Sequence, residues 1–203
     1  MIISRDKKAF TLIELITVIA IILILMGLLF PAINSIRESA RKAQAKNDIS
    51  NIVTAVKAYY TEYGKYPQAD PAPTTAADFT YGGTTVDNSH LFNVLRATGT
   101  QGMDQALNPR TVVFIEVPTA KDPSNPKAGL GYNDGKYYDP WGTPYFIMID
   151  FDYDNQLTNP YSSNAGWGKI NTGVLAWSLG KDKSGGSGDK NAGGGADDVL
   201  SWQ

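Results

Sequence analysis

Residues 7–33 read KKAFTLIELITVIAIILILMGLLFPAI. From Phe10 to Phe30, only Thr11, Glu14, Thr17 and Gly27 interrupt a run of strongly apolar side chains. A helix of that length rises roughly 30 Å, about the hydrocarbon thickness of a bilayer. Arg5, Lys7 and Lys8 precede it, so a secretory signal is the competing reading. The apolar run is too long for one, and no A-x-A cleavage site follows it. A transmembrane helix is therefore expected over 10–30. Basic residues flank both ends, with Arg37, Arg41, Lys42 and Lys46 beyond the span, so the positive-inside count does not orient it. Glu14 is the anomaly, because a carboxylate at mid-membrane costs about 2.5–3.5 kcal/mol on an insertion scale. It either snorkels to the headgroups or meets a cation. A cut between Ala9 and Phe10 would supply one, as a new amino group on Phe10.

The chain has 203 residues and a formal net charge of -2. That length suits one globular domain plus an appendage. The charge argues against a nucleic-acid partner, which would call for a basic surplus. Cysteine is absent and histidine occurs once, at His90. Disulfides, thiol chemistry and histidine-clustered metal sites are thereby excluded, and no nucleophile elbow or phosphate-cradling loop is present. The chain is not expected to be an enzyme.

A basic leader, a small residue and then F-T-L-I-E-L together resemble the N-terminal signal of the type IV pilin and type II secretion pseudopilin family. The resemblance implies that a prepilin peptidase cuts after Ala9 and that Phe10 becomes the methylated terminus. It gives Glu14 the task of neutralising that amine on a neighbouring subunit during assembly. Pro31 falls where the family has a helix-interrupting proline. Ala9 departs from the more usual glycine.

Beyond the proline, Ile33, Ile36, Ala40, Ala43, Ile49, Ile52, Val53, Val56, Tyr59, Tyr60 and Tyr63 recur at three- and four-residue steps, and Gly64 and Pro67 stop the pattern. The expected organisation is a leader over 1–9, the membrane and filament-core helix over 10–30, its amphipathic continuation over 31–66, and a globular head over 67–203. Within the head, SHLFNVLRATG (89–99) reads as a short helix with Leu91, Phe92, Val94 and Leu95 inward. His90 reads as a cap or surface residue. Val112–Val117 is strand-like by β-branched content. Asp139-Pro140-Trp141-Gly142 marks a turn, and Ile147, Ile149, Phe151 and Tyr153 then alternate with Met148, Asp150, Asp152 and Asp154 as a half-buried strand. Gly173–Leu179 and Val199–Trp202 supply further strands. The fold class expected is α+β and pilin-like, a long N-terminal helix packed on a C-terminal antiparallel sheet with a calcium-braced loop.

That loop lies in LGKDKSGGSGDKNAGGGADDVLSW (179–202), with its glycine-rich part over 180–198. A free linker has little reason to end in an apolar VLSW. If that end packs, the glycine-rich piece is a closed loop in need of a brace. Asp182, Asp197 and Asp198 offer three carboxylates whose charges repel without a cation, and calcium takes six to eight oxygens. The stretch resembles the calcium loop of the same pseudopilins, which adds the Leu179 carbonyl to the ligand set. It is longer than the family's, and Asp189 is an alternative ligand. Asp150, Asp152 and Asp154 resemble the start of an EF-hand loop, but Asn155 and Tyr161 replace the glycine and glutamate it requires. Solvent-facing strand positions account for them better.

The expected function is a homo-oligomeric filament subunit supporting type II protein secretion. Its partners would be the prepilin peptidase, the assembly machinery and the membrane. It would sit single-pass in the bacterial inner membrane with its head outside the cytoplasm, then in a periplasmic or extracellular filament. The alternatives are a type IV pilin for adhesion, motility or DNA uptake, and a membrane-tethered carbohydrate-binding module suggested by 4 Trp and 11 Tyr.

Overall fold

In the computed structural model, residues 10–69, 77–83, 86–98, 106–161, 168–185, 195 and 197–203 are described, the side chains of 28–32 excepted. The chain divides into two units, Met1–Ala40 and Arg41–Gln203. Helix α1, Leu12–Tyr63, contributes to both, and its helical backbone continues through Pro31.

In the first unit, every large apolar side chain from Leu12 to Met26 is exposed, from 45 % at Ile22 to 75 % at Leu12. A helix that is apolar all round belongs in lipid or within a bundle of other helices. Among the described residues, no helix is long and apolar enough to cross a membrane. Thr17 satisfies its hydroxyl on the Ile13 and Glu14 carbonyls at 3.0 and 2.9 Å, so it presents no unmet donor outward.

In the second unit, α1 buries Ala45, Ile49, Ile52, Ala55, Val56 and Tyr59, a stripe at three- and four-residue steps. Ile36 and Tyr60, which the pattern also picks out, are instead 67 % and 40 % exposed, and Ala40 and Ala43 are exposed as well. The stripe meets a four-stranded antiparallel sheet of order β1-β4-β7-β8, formed by Phe79–Tyr81, Phe146–Ile149, Val174–Ser178 and Val199–Leu200. Ile147, Ile149, Val174 and Ala176 share the core with α1, while Leu175, Trp177 and Leu200 turn to a second cluster with Leu157 and Tyr161. The sheet is covered on both faces, so all five residues of β7 are buried. Two small antiparallel pairs complete the strands: β2 (Gly129–Leu130) with β3 (Tyr137–Tyr138), and β5 (Leu157–Thr158) with β6 (Lys169–Ile170).

Helix α2, Ser89–Leu95, buries Leu91, Phe92, Val94 and Leu95 as expected. His90 lies inside its first turn rather than at its cap. Asp87 does the capping work, its Oδ1 accepting the Ser89 backbone N–H at 2.9 Å and the Ser89 hydroxyl.

Two strand expectations fail. Val112–Val117 forms no regular strand. Phe114 donates its N–H to the Leu95 carbonyl at 2.8 Å and packs its ring on Tyr59 and Tyr63, so the apolar content reflects packing on helices. The strand expected to run from Ile147 to Tyr153 ends at Ile149. There Asp150 turns inward, 2 % exposed, and its carboxylate accepts N–H groups from Tyr153 at 2.6 Å and Asn155 at 2.8 Å. Tyr153 and Asn155 take positive φ, which breaks the strand's alternation.

Asp48 on α1 is the polar tie across this core. Its Oδ2 accepts the hydroxyl of fully buried Tyr145 at 2.8 Å, and Tyr137 bonds to the same carboxylate. Burial pushes the Asp48 carboxyl above its ordinary value, against the lowering effect of both phenols. Folded Asp48 therefore keeps its proton to higher pH than the unfolded chain, whose aspartates titrate near ~3.9. Its contribution to stability falls as pH rises through that window and is constant above it. Asp48→Asn keeps an acceptor for Tyr145 and removes the titration. The variant's urea midpoint is expected to depend less steeply on pH than the parent's from the ordinary aspartate range upward.

Candidate functional site

Two places in the molecule carry chemistry. The first is the start of α1. Phe10 is 81 % exposed. Thr11 and Glu14 form a capping box. Glu14 Oε2 accepts the Thr11 backbone N–H at 2.9 Å and its hydroxyl at 2.7 Å, while Thr11 Oγ1 accepts the Glu14 N–H at 3.3 Å. The Glu14 carboxylate is thus held back over the helix N-terminus on Thr11, the residue that follows Phe10. The T-x-x-E spacing of Thr11 and Glu14 is the sequence signature of this box, set inside an apolar run. Ala9 lies outside the described residues, as does the Pro31 side chain.

The second place is the glycine-rich loop. Val199 and Leu200 are buried and pair with Ser178 and Trp177, so the loop is closed. One carboxylate oxygen each from Asp182, Asp197 and Asp198 lies within 4.8 Å of the other two. Asp198 is 4 % exposed, and its Oδ2 accepts the hydroxyl of buried Tyr161. Burial and this hydrogen bond push the Tyr161 phenol well up. Asp197 Oδ2 accepts the Lys181 and Asp182 backbone N–H groups, the latter at 3.0 Å. Asp182 is exposed and closes a local turn through Ser184 N–H at 2.9 Å. Among the described residues, no lysine or arginine pairs with Asp182 or Asp197. An all-oxygen, carboxylate-rich donor set of this kind suits a hard divalent cation. Leu179 follows β7 directly and packs its side chain on the second core cluster. Asp189 lies outside the described residues.

The sheet aims this loop. Asp139, fully buried, accepts N–H groups from Trp141, Gly142 and Thr143 on one oxygen at 2.9, 2.8 and 2.8 Å, which builds the D-P-W-G turn. Its other oxygen accepts the Ser178 hydroxyl at 2.6 Å, and Ser178 Oγ in turn accepts the Gly180 N–H at 3.1 Å. Gly180 has φ +65, and a Cβ there would stand 2.5 Å from the Asp197 carbonyl oxygen and 2.6 Å from its Oδ2. Only glycine permits so close an approach. Neither the Asp139–Ser178 link nor the Tyr161–Asp198 bond leaves a local sequence signal.

A second acidic group differs from the one the sequence suggested. Asp78 joins Asp150 and Asp152, while Asp154 instead pairs with Lys169 at 3.7 Å. Burial raises the Asp78 and Asp150 carboxyls. Both Asp150 oxygens already accept backbone N–H groups, so this aspartate builds the turn after β4. Solvent-facing strand positions do not explain it.

Residues 4–30 match the family model of the prokaryotic N-terminal methylation motif. No curated protein and no solved structure matches the chain. The motif supports a type IV pilin-like precursor that a prepilin peptidase processes. The helix-on-antiparallel-sheet architecture is α+β.

Proposed function

We propose that this chain is a filament subunit of a type II secretion pseudopilus. It is made as a single-pass precursor in the bacterial inner membrane with its head outside the cytoplasm. The methylation motif over 4–30 carries this reading. The peptidase cuts between Ala9 and Phe10, and Phe10 is methylated. Subunits then pack through the apolar surface of α1, which is exposed in the isolated chain. Glu14 of one subunit pairs with the Phe10 amine of a neighbour, and a slipped register strands the charge in an apolar bundle. The Thr11 capping box supports this role by keeping the carboxylate at the helix start. Pro31, which removes a backbone donor, marks where α1 loosens in the fibre.

Calcium is the cation proposed for Asp182, Asp197 and Asp198, with the Leu179 carbonyl completing the protein ligands. It neutralises the converging carboxylates and fixes the loop against β7. The missing cysteines favour secretion over a surface pilus, since such pilins frequently close this region with a disulfide. The reading is tested by mass spectrometry of the chain recovered from native polymers. It is expected to begin at Phe10 with one methyl group on its amine. A polymerised chain that still begins at Met1 overturns the reading.

A further inference from the structure

Asp139 stands 39 residues before Ser178 in the chain, yet their fully buried side chains meet. The Asp139 main chain is held on both sides. Its N–H donates to the Thr143 carbonyl at 2.8 Å, and its carbonyl accepts the Ala128 N–H at 2.8 Å. Three N–H groups of the D-P-W-G turn occupy one carboxylate oxygen, which leaves the other to the Ser178 hydroxyl. A serine hydroxyl has a single hydrogen, and here Asp139 receives it. The Ser178 oxygen therefore turns its lone pairs to the next donor, the Gly180 N–H, at 3.1 Å. A rigidly held carboxylate thus sets the direction of a hydroxyl, and that hydroxyl sets the direction of a backbone N–H.

The Gly180 N–H belongs to the same planar peptide group as the Leu179 carbonyl. In a trans peptide these two groups point to opposite sides. Holding the N–H on Ser178 therefore turns the Leu179 carbonyl oxygen away from Ser178 and fixes its direction. The next main-chain N–H groups, of Lys181 and Asp182, face Asp197 Oδ2. Gly180, at φ +65, brings the chain against Asp197 itself. The backbone that carries the Leu179 peptide thus runs along the acidic cluster.

We propose that Asp139, acting through Ser178, is the positioning residue of the cation site: it orients the Leu179 peptide so that its carbonyl is presented to the metal. The proposal rests on the calcium reading of Asp182, Asp197 and Asp198. It gives the D-P-W-G turn a task besides reversing the chain, because the same carboxylate that closes the turn reaches across to β7. Partners that orient a ligand without touching the metal typically cost about 10–100-fold in metal affinity when removed.

The test uses the full-length chain in detergent with two metals. Calcium gives the dissociation constant, and europium, through its luminescence decay in light and heavy water, gives the number of waters bound to the ion. Ser178→Ala removes the hydroxyl, and Asp139→Asn sets an amide donor where the hydroxyl needs an acceptor. Each is expected to weaken calcium binding about tenfold or more. Each is also expected to add about one water to bound europium, because a hard cation replaces a lost carbonyl with another oxygen. Val174→Ala, four residues back along β7, opens a cavity in the core. It is expected to lower the melting temperature in chelator while leaving both metal readouts at the parent values. Should one relay variant fail to fold, the other decides. A folded relay variant that binds both metals as the parent does overturns the proposal, even if its melting temperature in chelator falls. A parent chain that binds neither metal overturns the calcium reading and the proposal together.

Discussion

Asp198→Ala is expected to abolish calcium-dependent stabilisation of the head. A cation that binds only the folded state stabilises it by about 2.7 kcal/mol at one hundred times its dissociation constant. For a unit the size of Arg41–Gln203, that corresponds to a rise of roughly 5–10 °C in Tm. The parent head is expected to show this rise on adding calcium and to lose it on adding chelator. Asp198→Ala is expected to melt at or below the chelated parent's temperature under both conditions, because it also leaves the buried Tyr161 hydroxyl without its acceptor. Asp197→Ala behaves similarly through the freed Lys181 and Asp182 N–H groups. Glu116→Ala, at an exposed position outside the loop, is expected to keep the full calcium response. A parent Tm that is indifferent to chelator refutes the metal assignment.

Glu14→Val is expected to leave membrane insertion and cleavage intact while reducing filament yield by an order of magnitude or more. Valine removes the cost of a carboxylate in hydrocarbon, so insertion becomes easier. It also removes the only acid in α1 before Glu38, and with it the charge proposed to distinguish the correct register from a slipped one. The measurement is the ratio of sheared polymer to mature, membrane-held subunit. Thr11→Val isolates the capping box, because it deletes the hydroxyl that both donates to Glu14 and accepts from it. A smaller loss is expected there, since the carboxylate remains. Normal polymer yield from Glu14→Val removes the amine-pairing role.

Periodicity made the long helix and its buried stripe legible, because Ile49, Ile52, Val56 and Tyr59 keep a strict helical spacing. The pattern picks out Ala40 and Ala43, which are exposed, and passes over Ala45 and Ala55, which are buried, because alanine occupies helix surface and helix core alike. The closing strand was legible from its apolar residues set against a glycine-rich loop, and its pairing with β7 bears that out. The acidic loop after β4 misled for a definite reason. Alternation in sequence continues to Tyr153, but Asp150 spends its carboxylate on two N–H groups and folds the chain away from the sheet. The approach of Asp182 to Asp197 and Asp198 follows from the packed VLSW end, which closes the loop, and from the resemblance to the calcium loop, since their like charges alone would drive them apart. What holds them, the Tyr161 hydroxyl and the Asp139–Ser178–Gly180 chain, is long-range and leaves no local pattern.

Among the described residues, the strand order β1-β4-β7-β8 leaves two edges without a ladder partner, and both are short: three residues in β1, two in β8. Brief margins of this kind give a foreign strand little template on which to extend the sheet. Heads crowded side by side thus have scant means of fusing through their main chains. In the proposed filament, growth is left to the apolar helix, whose contacts form and withdraw without unravelling the domain it carries.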